Sequence, residues 1–451
     1  MSAPGFAPSD APGFAPSDAP RAAAGGARHR YWLALVAACG ALALVITACS
    51  AGQPGAGQGA AAADSVHISI TPANGNRSAA PDQGITVTAT HGKLSGVTAT
   101  TSGGQVTGTM NAAGTVWHST WALDVSQGYT VTAQAAGTKA AGTAGTHVSR
   151  TSKFTTLTPS QTFTTEIYEG AGATYGVGMP IILYFNQHIT NTAAVERALQ
   201  VTSSKPVVGA WYWDYPCNMA VECAYFRTQN YWPSGTQVTF TGHLNGVEGA
   251  PGVYGFHTLT QSFDIGASLI VVASTQTHYM QLYQNGKMID NWPISTGKPG
   301  DNTPNGTYLT IDKGNPVDMK GPGYNIEVPW SVRFTWSGDY LHDAYWSTSE
   351  QGFTNVSHGC VNMPPADAQT YYSMEVPGDP VTVTGSPAAG TWDNGWTMWF
   401  LPWSKYVQGS ATGQVVEAGP DGSTFVSPSA VPQNSATAPI GAPDPGNNIA
   451  S

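Results

Sequence analysis

Short runs that alternate apolar and polar residues recur along most of the chain. Between residues 65 and 158 they include VHISI, GITVTATHG and YTVTAQA, and Gly, Asn and Pro separate one run from the next. A period of two is typical of strands that bury one face, and short strands between turn residues favour an antiparallel sandwich. We therefore predict an Ig-like β-sandwich over residues 65–158.

The same pattern continues through residues 159–266 and predicts a second Ig-like β-sandwich. Its strand-like runs include PIILYFNQHI and TQVTFTGHL. The aromatic run WYWDY is typical of a buried sheet face, because aromatic residues are frequent in strands, and a sugar-binding face is the alternative. Neither block contains a cluster of titratable residues that indicates chemistry, so we interpret both as spacer domains.

A third block, residues 267–387, is predicted to be mainly β with one or two short helices. The run QNGK places an Asn-Gly turn between two strand-like runs, which is a strong hairpin signal. Pro365 can begin a helix, and residues 366–374 favour its continuation. The overall prediction is a mainly β protein with two sandwiches followed by this β-rich domain.

Two further segments follow the third block. Residues 388–416 include a short stretch with four tryptophans, which we expect to pack on the third domain; a glycan-stacking platform is the alternative. Residues 417–451 are rich in Pro, Ser, Ala and Asn, and this composition predicts a disordered tail.

The first 64 residues have the layout of an export segment. Arginines precede the apolar run 31–48, which closes on ITAC with Cys49 as its last residue. A basic region, an apolar region and small residues before a cleavage site are typical of a secretory signal. The ending resembles a lipoprotein lipobox, in which Cys49 is lipidated and becomes the mature N-terminus. We predict a disordered segment and signal peptide over residues 1–48 and a flexible linker over 49–64.

An uncleaved membrane helix is the alternative for the apolar run, because it is just long enough to span a bilayer. Both interpretations place the rest of the chain outside the cytoplasm and tether it to the outer face of the membrane. The formal net charge of −10 provides no basic surface for nucleic acid, so we expect no nucleic-acid partner.

The five cysteines divide by position. Cys39 lies in the apolar run and Cys49 is the predicted lipidation site. Cys217 and Cys223 are close enough in sequence to close a small loop, and a disulfide is the expected state in an oxidising compartment. Cys360 is then left unpaired, as an intermolecular partner or a reactive thiol.

The surroundings of Cys360 offer the groups that a nucleophilic thiol requires. His342 precedes Ser357 by fourteen intervening residues, a loop long enough to return a base to the SHGC turn. Gly359 allows close approach of the backbone to a substrate, and His358 can tune the thiolate or hold the turn. A buried structural thiol and a zinc site formed by His342, His358 and Cys360 are alternatives, although a fourth zinc ligand is not evident.

The segment from His342 to Asn362 resembles the signature of L,D-transpeptidases of the YkuD type: His, fourteen to seventeen residues, then Ser/Thr-His-Gly-Cys-x-Asn. His342, Ser357, His358, Gly359, Cys360 and Asn362 all match it. The resemblance covers roughly residues 65–410, and two Ig-like domains on a lipoprotein-like anchor are similar to the actinobacterial members.

The resemblance implies an enzyme that forms 3→3 cross-links between peptidoglycan stem peptides without a cofactor or metal. Cys360 is the expected nucleophile, His342 the general base and acid, and the backbone carbonyl of Asp343 the group that orients His342. Relatives have serine at this position, so the additional carboxylate is expected to raise the pKa of His342 and favour a thiolate–imidazolium pair. The substrate-contact positions implied are Tyr324, Ser337, Gly338, Ser357 and Asn362. Carbapenems are expected to acylate Cys360.

Two other functions remain open at this point. Water can take the same thioester, which makes the enzyme an L,D-carboxypeptidase or a hydrolase of existing cross-links. A non-catalytic wall-binding lipoprotein is the alternative from another class, but its site would be expected to lose at least one of His342, Cys360 and Asn362. Papain-like peptidases are disfavoured because they place Cys before His in the chain.

Overall fold

The structure is a computed structural model that describes residues 65–137, 147–321 and 324–431. The predicted signal, lipidation site and linker within residues 1–64, and the tail after residue 431, lie outside the described residues. The described part is mostly β, as predicted, with three short α-helices. None of the helices in these ranges is long and apolar enough to cross a membrane.

The first domain consists of two four-stranded sheets around one core. Its strands are β1 (His67–Thr71), β2 (Thr86–Thr90), β3 (Gly92–Thr101), β4 (Gly104–Gln105), β5 (Gly108–Met110), β6 (Val116–Ser119), β7 (Gly128–Gly137) and β8 (His147–Thr155). The strand orders are β1-β2-β6-β5 and β4-β3-β7-β8. Val87, Val131 and Ala133 are fully buried, and more exposed positions alternate with them along their strands, as the pattern predicts.

The second domain continues the β architecture. Its elements are β9 (Gln161–Phe163), β10 (Thr165–Ile167), β11 (Thr174–Tyr175), β12 (Ile181–Phe185), α1 (Thr192–Arg197), β13 (Leu199–Ser203), β14 (Val207–Asp214), β15 (Glu222–Thr228), β16 (Gln237–Gly242), β17 (Glu248–Ala250), β18 (Val253–Gly255) and β19 (Leu259–Ile265). The aromatic run lies in β14, where Trp211 is fully buried and packs 5.3 Å from the ring of Phe226. Trp211 thus belongs to the core, whereas Tyr215 at the end of the run is 55% exposed, so the buried-sheet interpretation holds for only part of the run.

The third domain contains a five-stranded sheet, a four-stranded sheet and a hairpin. Its elements are β20 (Leu269–Ser274), β21 (Tyr279–Gln284), β22 (Lys287–Pro293), β23 (Gly306–Leu309), β24 (Asp312–Gly314), β25 (Val317–Gly321), β26 (Tyr324–Val328), β27 (Ser331–Arg333), β28 (Tyr340–Asp343), β29 (Val361–Met363), α2 (Pro365–Met374) and β30 (Pro380–Thr384). The strand orders are β22-β21-β20-β30-β23 and β24-β27-β28-β29, with β25 and β26 paired separately. The expected Asn-Gly turn joins β21 to β22, with positive φ at Asn285 and Gly286.

The C-terminal segment differs from its predicted state. The disordered tail was expected from residue 417, but β31 (Val415–Gly419) and β32 (Gly422–Val426) form a hairpin there. β31 pairs antiparallel with β14 and extends the sheet to β10-β12-β15-β14-β31-β32. Apolar residues of β31, such as Val416 and Ala418, are buried, and this burial stabilises strands that composition alone does not indicate.

The tryptophan-rich segment packs on the second and third domains, whereas only the third was expected. Phe400 is fully buried in the core of the third domain. Trp399 donates its indole N–H to the carbonyl of Gly178 in the second domain, at 2.8 Å. Arg227 of β15 lies over the ring of Trp399, at 4.3 Å from its centroid. The segment α3 (Trp403–Tyr406) then leads to β31.

Candidate active site

Two parallel strands bring the predicted base and nucleophile to one cleft. β28 pairs with β29 so that His342 lies opposite Asn362, and Cys360 directly precedes β29. The cleft has a volume of about 680 Å³. The described residues that line it are Met319, Tyr324, Asn325, Ile326, Val328, His342, Trp346, Ser347, Glu350, Val356, Ser357, His358, Cys360 and Asn362. Sheet register therefore joins residues that are distant in sequence.

Hydrogen bonds within the SHGC turn fix the position of Cys360. The Ser357 hydroxyl donates to the carbonyl of Cys360 at 2.6 Å and accepts from the amide of Gly359 at 3.2 Å. The Thr303 hydroxyl donates to the carbonyl of Gly359 at 2.5 Å. The Gly359 amide is therefore engaged within the turn.

Gly359 is required by the shape of this turn. Its φ of 133° lies in the region that favours glycine. A Cβ atom at this position would lie 2.3 Å from Oδ1 of Asp339. Both the backbone conformation and the close carboxylate therefore exclude a side chain.

His342 is oriented as a general base. Its Nδ1 lies 2.8 Å from the carbonyl oxygen of Asp343, which can only accept, so Nδ1 carries the proton and Nε2 has a free lone pair. The side chain is buried, with 3% of the residue exposed. The backbone carbonyl of Asp343 thus has the orienting position that the resemblance implies.

Burial overrides the expected effect of the Asp343 carboxylate. Desolvation lowers the pKa of His342 to about 4, and the backbone carbonyl of Asp343 opposes that change only in part. The expectation that the carboxylate raises the pKa of His342 is therefore wrong for this structure. A charged imidazole is disfavoured because little water reaches the ring.

Cys360 is partly buried, and its surroundings favour the neutral thiol. Burial raises the pKa of Cys360 to about 12, the negative charge of Asp339 adds to the rise, and backbone N–H groups oppose it. Its Sγ lies 3.8 Å from the carbonyl oxygen of Gly338, which can accept the thiol hydrogen. At neutral pH the resting pair is thus imidazole and thiol, and the expected thiolate–imidazolium pair is disfavoured. Proton transfer has to accompany attack on a substrate.

The structure places the remaining predicted residues around Cys360 in different ways. Tyr324 belongs to the β25–β26 hairpin, and its ring centroid lies 5.2 Å from that of the exposed His358. Both residues line the cleft.

Ser337 and Gly338 do not line the cleft, but the carbonyl oxygen of Gly338 contacts the thiol of Cys360 and brings their loop against it. Asn362 is buried and donates its Nδ2 hydrogen to Ser347, so it also supports the wall of the cleft.

Five residues with a place at the site were not singled out in the sequence: Thr303, Asp339, Trp346, Glu350 and Asn394. All five lie within residues 65–410, which carry the family likeness, but neither Thr303 nor Trp346 has a titratable group that marks it as chemical. Asp339, Glu350 and Asn394 are polar residues of turns, which usually indicate loops alone. Their roles arise from contacts across the fold.

Three of the five cysteines lie within the described residues. Cys217 and Cys223 form a disulfide, and Cys360 is the free thiol of the described part. Within the same described ranges, no group of three or more His, Cys, Asp or Glu side chains could hold a metal ion. The zinc alternative for His342, His358 and Cys360 therefore has no support in the geometry.

Comparisons with known proteins find two family models and solved structures that match parts of the chain. The family model of the L,D-transpeptidase catalytic domain matches residues 268–383, and that of a bacterial Ig domain matches residues 76–248. A solved LD transpeptidase in complex with imipenem is 31% identical and aligns with 50% of this chain and 100% of its own, with a TM-score of 0.42.

Two relatives from Mycobacterium tuberculosis resemble the chain over most of its length. L,D-transpeptidase 2 is 32% identical over 344 residues, which cover 73% of this chain and 81% of the relative. L,D-transpeptidase 5 is 32% identical over 355 residues, which cover 76% of this chain and 77% of the relative. With its SHGC turn, its buried histidine and this extent of likeness, the chain belongs to the L,D-transpeptidase family.

Proposed function

We propose that the protein forms 3→3 cross-links between peptidoglycan stem peptides through a thioester on Cys360. The observation that carries the proposal is the shared cleft of Cys360 and His342, in which the Asp343 carbonyl leaves Nε2 of His342 free to accept a proton. A nucleophile needs such a base within reach and a third group that orients it. The three roles are filled by residues of β28 and of the SHGC turn.

In the first half of the reaction, Sγ of Cys360 attacks the carbonyl carbon of the third residue of a donor tetrapeptide. The thiol proton passes to Nε2 of His342 as the S–C bond forms. His342 then gives this proton to the amine of the terminal D-Ala, and the C–N bond breaks. The burial that keeps both groups neutral at rest makes the ion pair a transient species.

In the second half, the side-chain amine of a diamino acid in another stem attacks the thioester. The amine proton passes to His342 and then to Sγ as the C–S bond breaks, which restores the thiol and completes a new amide. Water in place of the amine gives a tripeptide instead, so the hydrolytic function uses the same site. Access of amine relative to water decides between them.

The test is mass spectrometry of muropeptides after the purified protein has been incubated with tetrapeptide stems. Cross-linked dimers with loss of D-Ala are expected from the native chain, whereas Cys360→Ala yields none. Tripeptides alone would overturn transpeptidation in favour of hydrolysis, and unchanged tetrapeptides would favour the wall-binding alternative. Cys360→Ala is also expected to form no covalent adduct with a carbapenem; an adduct on this variant would remove Cys360 as the nucleophile.

The proposed location is the outer face of the cell membrane, with a lipid on Cys49 as the anchor. Its support is the order of basic, apolar and small residues before Cys49. Mass spectrometry of the protein extracted from membranes tests it, with Cys39→Ala as a matched control for Cys49→Ala. The native chain and Cys39→Ala are expected to begin at a lipidated Cys49, whereas Cys49→Ala should retain residues 31–48; a native chain that also retains residues 31–48 would favour an uncleaved helix.

A further inference from the structure

We propose that Glu350 binds the acceptor substrate, by pairing with the protonated side-chain amine of the diamino acid in the second stem peptide. This inference rests on the proposed transpeptidation and assigns a residue to recognition of its second substrate. It comes from the charge of the cleft, the rigid position of Glu350 and the exposed ring of Trp346.

Glu350 supplies the negative charge of the cleft. It lines the same cleft as Cys360 and His342 and is partly buried. Among the described lining residues it is the single carboxylate, and none of them is Lys or Arg. A cationic group that enters the cleft therefore finds one acidic partner and no fixed positive side chain to repel it.

Backbone hydrogen bonds hold Glu350 on both sides. Its amide donates to the carbonyl of Ser347 at 3.2 Å, and its carbonyl accepts from the amides of Phe353 and Thr354 at 3.0 and 2.8 Å. Ser347 in turn accepts from Asn362, two residues after the nucleophile. The backbone at Glu350 is thus tied to the segment that carries Cys360 before any substrate binds, and such preorganisation lowers the entropic cost of binding.

The carboxylate retains an open acceptor. Oε2 accepts a hydrogen bond from the Ser349 hydroxyl at 2.9 Å. Oε1 has no hydrogen bond to any residue of the described part of the chain. An ammonium group can supply the missing donor, and a charge-assisted bond of this kind is stronger than a neutral one.

Trp346 adds a second attraction for a cation. Its ring stacks on His342, with centroids 5.8 Å apart and an angle of 27° between the planes. The residue is 45% exposed and lines the cleft. An aromatic face attracts ammonium groups, so Trp346 and Glu350 together favour a protonated amine close to the base that later accepts its proton.

The chemistry remains balanced with this assignment. The acceptor arrives as an ammonium group and is held by Glu350. It loses one proton to solvent, and the resulting neutral amine attacks the thioester. The second proton then passes through His342 to the departing sulfur of Cys360. Glu350 thus acts in binding and does not enter the covalent steps.

The test is the variant Glu350→Gln, which keeps the shape of the side chain and removes its charge. We expect the KM for a stem-peptide acceptor to rise about tenfold, in line with loss of one charge-assisted hydrogen bond. Products should shift from cross-linked dimers towards tripeptides. The rate of acylation by a carbapenem, measured on the same variant, reports the first half-reaction. This rate should not fall along with the affinity for the acceptor.

Two controls make the result specific. Glu327→Gln removes an equal charge from an exposed position on the β25–β26 hairpin and should leave the acceptor KM unchanged. Hydroxylamine, an uncharged nucleophile at neutral pH, should intercept the thioester equally well in native protein and Glu350→Gln. An unchanged acceptor KM in Glu350→Gln would overturn the assignment of Glu350. So would a loss of reactivity towards hydroxylamine as large as the loss of reactivity towards the peptide acceptor. Failure of the native protein to cross-link any acceptor would instead overturn the proposed function.

Discussion

Asn394 holds Ser337 at two points. The Ser337 amide donates to Oδ1 of Asn394 at 2.8 Å, and Nδ2 of Asn394 donates to the Ser337 hydroxyl at 2.9 Å. The next residue, Gly338, has its carbonyl oxygen 3.8 Å from Sγ of Cys360. The tryptophan-rich segment therefore supports, through one side chain, the loop that contacts the nucleophile.

We expect Asn394→Ala to slow acylation of Cys360 by about tenfold, because small errors in position are costly to a nucleophile. The contact is exposed, so stability should change by only about 0.5 kcal/mol. Stopped-flow measurement with a carbapenem checks the rate. Asn111→Ala, which removes hydrogen bonds from a turn of the first domain, is the control and should keep the native rate. An unchanged rate in Asn394→Ala would show that the loop is held without this side chain.

The buried imidazole of His342 predicts a dependence of stability on pH. Its pKa lies at about 4 in the folded protein and near 6.5 when unfolded, so between these values the unfolded chain binds the additional proton. Stability should therefore fall as pH decreases through this window, by up to about 3 kcal/mol from this group. Urea unfolding at several pH values checks the slope.

The variant His342→Gln isolates this contribution, because other buried groups titrate in both proteins. Above about pH 7, His342 is neutral in both the folded and the unfolded state, so the free energies of unfolding of the native protein and the variant should change with pH in parallel. Below that pH, the free energy of unfolding of the native protein should fall more steeply than that of the variant. A difference with the opposite slope would mean that His342 is charged in the folded protein.

Gly359→Ala is expected to disrupt the nucleophile turn. The added methyl meets Asp339 at 2.3 Å and requires a strained φ, so the turn has to shift. We expect acylation to slow by at least about a hundredfold, with a cost in stability of about 1–3 kcal/mol. Gly286→Ala has a positive φ but nothing within 4 Å of its new Cβ, and it should change stability alone. Equal rates for both variants would contradict a steric role for Gly359.

Arg227 fastens the C-terminal segment to the second domain. It lies over the rings of Trp399 and Tyr406, at 4.3 and 4.4 Å, and donates to the carbonyl of Met398 at 2.7 Å. Arg227→Met should lower the free energy of unfolding by about 2–4 kcal/mol and expose this segment to protease. Arg197→Met, which loses only a bond to Ala193 within a surface helix, is the control. Equal protection from protease in both variants would remove Arg227 as the fastening residue.

Local patterns were sufficient for several elements. The Asn-Gly turn and the helix that begins at Pro365 depend on nearby residues, so the sequence predicts them directly. The hairpin of β31 and β32 was missed, because its stability comes from pairing with β14, about two hundred residues earlier in the chain. The composition of residues 417–451 does not show that part of this segment pairs with the edge of a distant sheet.

The sequence by itself determined the mainly β architecture, the pair Cys217 and Cys223, and the identity of Cys360 and His342 as candidates, because spacing and residue chemistry are visible in one dimension. Tertiary structure alone decided the protonation of Cys360 and His342, since burial lowers the pKa of His342 and raises that of Cys360. It also decided the places of Asp339, Glu350 and Asn394 around the thiol. Desolvation and long-range contacts depend on what surrounds a group in space, and no local pattern carries that information.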